Sequence, residues 1–240
     1  MAETDAASPE LPPEPPPNWE PLSVIERRVL GVLIEKQKTS KSPDSYPMTL
    51  NSLTTGCNQK SNRDPVLELD DVDVEETLIA LQKKGLTNKI VGNRAERFRH
   101  LLYDVWKVSK VEMAVLAELL LRGPQTEGDL RGRASRMEDI ADLETLRGLI
   151  QHLQSRNLVQ YLTPAERRGA MISHGFHAPD ELATLQSILG SGSPADVPNA
   201  PRTAPASTST SAAIEARLNQ AFEEIALLRK RIEVLETKPG

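Results

Sequence analysis

Residues 23–34 read SVIERRVLGVLI, and residues 109–120 read SKVEMAVLAELL. Each stretch opens with Ser, carries Glu three positions later and continues with apolar side chains at helical spacing. Ser-x-x-Glu is a capping box: the Ser oxygen accepts from the third helical N–H and the Glu reaches back to the Ser N–H. Ile25, Val29, Leu30, Leu33 and Ile34 of the first stretch are matched, 86 residues on, by Val111, Val115, Leu116, Leu119 and Leu120.

The match continues in order. Thr49, Leu53 and Cys57 align with Thr126, Leu130 and Ala134, and a third helix containing Val74, Leu78 and Leu81 aligns with Leu146, Ile150 and Leu153. Gly85 and Asn157 follow those third helices, where a left-handed residue ends a helix and Gly or Asn is favoured. A hairpin pattern comes next in each copy: Leu86–Val91 with a return near Arg97–Tyr103, and Leu158–Leu162 with a return near Ala170–Phe176. Three helices and a hairpin, twice over, is the order of a tandem winged-helix repeat. The expected class is mainly α with small β-hairpins (α+β). Copy one carries its extra residues between helices, at Lys38–Met48 and Asn58–Asp70, as a structural repeat should.

The expected organisation is a disordered Pro-rich tail (1–21), two winged-helix domains (22–105 and 106–178), a short helix with a flexible linker (179–210), and an amphipathic heptad helix (211–237). In the last, Ser211, Leu218, Ile225 and Ile232 take position a, and Ile214, Ala221, Leu228 and Leu235 take position d. Ile at a with Leu at d favours a parallel homodimer through Ser211–Leu235; an amphipathic helix folding back on the globular part is the other reading.

Net charge is -5 with one cysteine and 3% aromatic residues. The acidity lies in the tails and the repeat is near neutral, so no basic domain announces nucleic acid. A lone thiol forms no internal disulfide, and no stretch approaches the ~20 apolar residues of a membrane span. The N-terminus lacks the basic start and apolar core of a secretory signal. These features lead to the expectation of a cytoplasmic protein without a membrane partner.

Met48-Thr49-Leu50-Asn51-Ser52-Leu53, followed by Gly56-Cys57-Asn58-Gln59-Lys60-Ser61-Asn62-Arg63-Asp64-Pro65-Val66, resembles the signature of the YceH-like family of uncharacterised bacterial proteins. Glu35-Lys36-Gln37, Leu120–Thr126 and Leu130–Met137 are similar to it too. The resemblance spans roughly residues 22–176 and implies a tandem winged-helix fold and a bacterial source, with no activity attached. The Pro-rich tail and the heptad segment depart from that compact pattern.

No nucleophile elbow, phosphate-binding glycine loop or supported carboxylate pair is present, so no catalytic, cofactor or metal residues are expected and an enzyme is not. Cys57 faces the apolar side of its helix and reads as a small core residue. His174 and His177 have no acidic cluster at ligand spacing, and His174 is expected on the surface of the second wing.

The candidate nucleic-acid contacts are Asn58, Gln59, Lys60, Asn62 and Arg63, with the wing arginines Arg94, Arg97, Arg99, Arg167 and Arg168. The polar run is equally readable as an ordered connector, with Arg63 paired to an acid. The third helices open on acids, Asp70–Glu76 and Glu138–Glu144, which oppose the usual insertion of that helix into DNA. Two functions follow: a DNA-binding regulator on duplex DNA, or a scaffold that uses the acidic faces for a protein partner.

Overall fold

In a computed structural model, described over residues 18–42, 45–92 and 95–190, the chain folds as eight helices and two small antiparallel sheets, an α+β arrangement. Helix α1 (Val24–Thr39) starts at the first capping box: Ser23 N donates to Glu26 Oε2 at 2.8 Å and Glu26 N to Ser23 Oγ at 3.2 Å. After α2 (Leu50–Cys57), α3 (Asp71–Lys83) and the strands β1 (Thr87–Val91) and β2 (Glu96–His100), a short α4 (Leu102–Trp106) leads into α5 (Lys110–Arg122). There the same box recurs, with Ser109 N to Glu112 Oε2 at 2.7 Å and Glu112 N to Ser109 Oγ at 3.3 Å. Strand β3 (Gln125–Thr126), α6 (Glu127–Ala134), α7 (Leu143–Gln154), β4 (Val159–Tyr161), β5 (Met171–His174) and α8 (Pro179–Gly190) complete the described chain.

The two halves agree where sequence aligned them. Thr49 and Thr126 cap α2 and α6, each accepting from the N–H three residues on. Gly85 and Asn157 take φ of 70° and 57°, and beyond them Leu86 N and Leu158 N close onto Leu81 O and Leu153 O. One parallel was not legible in sequence. β3, just before α6, pairs with β5, and Met48, just before α2, makes a reciprocal bridge to Phe98 of β2.

Four expectations are corrected. The first return strand ends at His100, because Leu102 and Trp106 are buried at helical spacing and turn the chain into α4. Helix α7 starts only at Leu143, where Asp142 accepts from Thr145 N; before it, Arg131 donates to Ile140 O and Ala141 O, holding a loop. The tail does not run to residue 21: Trp19 donates to Arg156 O at 2.8 Å, and Leu22 is buried and bonds Phe176 O through its N–H. Most consequential, the two halves are not separate bodies, because their buried side chains form one core. The first helices α1 and α5 pack on each other at its centre. A Cβ on Gly31 would lie 2.8 Å from Cγ and Cδ2 of Leu121, so glycine permits that approach.

Within the described residues no helix is long and apolar enough to cross a membrane. The heptad segment Ser211–Leu235 lies outside the described residues.

Candidate nucleic-acid interface

The Asn58–Pro65 run folds as a connector clasped by two arginines. Asn58 Oδ1 accepts from Leu69 N at 2.9 Å while its Nδ2 donates to Leu69 O at 2.7 Å, closing the loop on itself. Arg63 is 5% exposed; its guanidinium pairs with Glu35 of α1 at 2.6 Å and also donates to Gly56 O, Asn62 O and Gln59 Oε1. Asn62, at φ 62°, accepts from Arg122 of α5, and Asp64 N donates to Leu121 O. The run therefore welds the first half to the first helix of the second. Arg63 is corrected from a nucleic-acid contact to a strut, because its donors are committed inside the protein. Asn58 and Asn62 are spent on backbone and interhelix bonds. Lys60 stays exposed.

Cys57 is fully buried, and burial pushes its thiol up to about 12 against the pull of Arg28 and Arg63, so it stays protonated. His174 is corrected from surface to core: it is 2% exposed, stacks on His177 at 3.9 Å and, chiefly through burial, is held well below the usual imidazole range. Among the described residues no metal-binding group of His, Cys, Asp and Glu forms.

Ser173, His177 and Glu181 stand in the order of a nucleophile, base and acid, with Ser173 Oγ 2.7 Å from His177 Nε2 and Glu181 Oε2 3.1 Å from its Nδ1. Two features oppose that use. Ser173 has no exposed surface, and Arg27 Nη1 lies 3.1 Å from Nδ1. The Arg27 guanidinium at Nδ1 opposes the imidazolium that a general base must become. Burial, with Arg27 adding to it, keeps His177 low against the opposing pull of Glu181.

The polar surface that remains is a cleft of about 690 Å³ between the end of α1, the outer face of α2 and strand β2. Lys36, Asn51, Ser52, Thr55, Gln59 and Arg97 line it, and no described lining residue is a carboxylate. Asn51 and Thr55 are four apart, on the side of α2 opposite its buried Leu53 and Cys57, and Gln59 follows just beyond the end of that helix. Arg97 is steadied by donating to Pro47 O at 2.8 Å. Arg99, two residues on, emerges on the same hairpin face and is exposed. Of the candidates, the structure thus brings Gln59 and Arg97 together, with Arg99 beside them. Arg94 lies outside the described residues. Lys36, Asn51, Ser52 and Thr55 were missed as site residues; the signal was an uncharged polar face at four-residue spacing.

The second half presents a cleft of about 590 Å³ where Arg147 of α7 and the loop residues Arg167 and Arg168 meet the start of α6. Glu127 there accepts from Arg147 at 2.7 and 2.9 Å and from the Tyr161 hydroxyl at 2.9 Å. The Arg147 bond, which outweighs burial, holds its carboxyl below the usual range. Helix α3 offers a different surface, with Asp71, Asp73, Glu75 and Glu76 exposed beside Val72 and Ile79, which are 61% and 48% exposed.

A family model described as "Protein of unknown function, DUF480" matches residues 22–169. A UPF0502 protein of Rhodopirellula baltica is 44% identical over 166 residues, covering 69% of each chain. One of Hahella chejuensis is 41% identical over 181 residues, covering 72% of this chain and 82% of its own. One of Saccharophagus degradans is 38% identical over 224 residues, covering 90% and 91%. That last match reaches beyond residues 22–169, so the terminal segments are not wholly peculiar to this chain. With the family model and these relatives in agreement, the chain belongs to the DUF480/UPF0502 family of uncharacterised bacterial proteins, the family its Met48–Val66 signature resembles.

Proposed function

We propose that this is a non-enzymatic, cytoplasmic, tandem winged-helix protein that binds duplex DNA along its first half. The twice-repeated order of three helices and a hairpin, each with a short strand pairing ahead of the second helix, supports the winged-helix reading. The observation that carries DNA binding is the first-half cleft. Lys36 and Arg97 stand among amide and hydroxyl side chains, no described carboxylate lines the cleft, and Arg99 extends the charge along the hairpin. Such a surface suits phosphate and sugar contacts, which fix register, with Asn51 able to reach base edges. The duplex runs along α2 and the hairpin and avoids the acids of α3, which phosphates repel. Arg147, Arg167 and Arg168 of the second half extend the contact.

The test is titration of a fluorescent duplex with the full-length chain at several salt concentrations. The expected result is log K falling with log salt at a slope near −0.9 per phosphate contact. No binding even at low salt would refute the reading.

A second reading, a scaffold for a protein partner, is favoured on one surface by the exposed Val72 and Ile79 among the α3 acids. Charge reversal at Glu75 and Glu76 that leaves every protein interaction intact would remove its support. Self-association through Ser211–Leu235 is likewise a proposal; light scattering on the full chain and on one ending near Gly190 would show a dimer becoming a monomer.

A further inference from the structure

Arg28, in the second turn of α1, is a buried cation that forms no ion pair among the described residues. It is 2% exposed; Nη1 donates to Cys57 O at 2.9 Å, Nη2 donates to Pro65 O, and Nε is buried with no partner. Among the described residues no carboxylate forms an ion pair with it. After burial itself, the strongest electrostatic influence on it is another cation, Arg63, and the two hold its guanidinium below the ordinary value. Buried charges in proteins are normally paired, and two carbonyl dipoles compensate only in part.

Arg28 lines a cavity of about 210 Å³ at the junction of α1, the Asp64–Pro65 turn, Gly123–Pro124 and α8. Arg27 and Arg122 flank it. Neither of its two carboxylates forms an ion pair with Arg28: Glu181 is held by the fork of Arg27 at 2.7 and 2.8 Å, and Asp64, which is exposed, pulls on Arg28 less strongly than Arg63 pushes. Arg122 leans on Glu118 at 3.1 Å. His174 and His177 at the wall are kept neutral by burial. The lining thus carries three guanidinium groups against two carboxylates. Its volume is below the ~300–1,000 Å³ of drug-sized sites, which suits a compact ligand.

We propose that this cavity binds a compact oxyanion, the phosphate or carboxylate group of a small molecule, with Arg27, Arg28 and Arg122 together supplying its positive wall. Both halves and α8 contribute walls, so occupancy ties all three together, and the ligand stabilises the fold by mass action. The site is separate from the proposed DNA surface, and its test is independent of DNA.

The experiment is thermal unfolding of the full-length chain in rising phosphate, sulfate, succinate or acetate, with ionic strength held constant by sodium chloride. At least one anion should raise the midpoint saturably, by about 3–6 °C at tenfold excess over Kd. Saturation separates binding from the general stabilisation that excluded salts give. A response confined to phosphate and sulfate assigns a phosphoryl ligand, and one confined to succinate and acetate assigns a carboxylate; either supports the site. Arg28→Met should abolish the response. If that variant does not fold, Val24→Phe, which adds bulk at the cavity wall and leaves every charged residue in place, replaces it. No saturable rise with any of the four anions, or a rise undiminished in the folded variant, overturns the proposal.

Discussion

Replacing Arg63 by Met would leave the Glu35 carboxylate half-buried without its partner. Breaking a buried pair from one side costs about 3–5 kcal/mol, so Arg63→Met should lose stability of that order in urea unfolding while DNA affinity of the folded protein stays near wild type. The nucleic-acid role first read into Arg63 would require the opposite pattern. His100 gives a pH signature. Its Nδ1 accepts from Leu102 N, its Nε2 faces Gln37 Oε1 at 2.8 Å, and burial, with Lys38 nearby, lowers it from 6.5 to about 4. The folded protein keeps this ring neutral while the unfolded chain protonates it below 6.5. Stability is therefore full above pH 6.5 and falls as pH drops towards 4, by about 3 kcal/mol for this group. Urea unfolding from pH 7 to 4 should show that fall, with His174 and His177 acting in the same direction, and His100→Gln should flatten it. Charge and contact partners of this kind were only half legible in sequence: that Arg63 would pair with an acid was readable, but not which acid, because Glu35 lies 28 residues away on another helix.

At the scale of elements, two glycines should respond with opposite sign. Gly31 sits where α1 meets α5, and Leu121 is buried and has no room to retreat. Gly31→Val should cost about 1–3 kcal/mol by overpacking. Gly132 in α6 is exposed, and a Cβ added there would meet nothing within 4 Å, so Gly132→Ala should gain about 0.5–1 kcal/mol from helix propensity. Thermal or urea unfolding of both variants checks the pair. Element identity and order were legible because caps, helix-end residues and apolar periodicity are local signals. The strand β3 and the Met48 bridge were not, since one or two paired residues leave no alternation to read. α4 was hidden because Leu102 and Trp106 follow directly on a strand.

At the scale of the molecule, the shared core between the halves predicts one cooperative transition. Tryptophan fluorescence, which senses Trp19 and Trp106 at the junction, should coincide with the loss of helical circular dichroism. Two separated transitions would mean that the halves unfold as independent domains. The shared core was not legible in sequence because a buried face at helical spacing says that a helix is covered, not what covers it. The same limit hid the cleft: Lys36, Asn51, Thr55 and Arg97 lie in three elements and meet only through the packing of α1, α2 and β2. Whether DNA is met by this cleft, as proposed, or by α3 is tested most directly by duplex binding of two charge-removal variants at one fixed salt concentration. With Lys36, Arg97 and Arg99 changed to Gln, affinity should drop at least tenfold; with Glu75 and Glu76 changed to Gln, it should hold or rise. Binding that survives the first set of changes and falls with the second would contradict the cleft as the DNA surface.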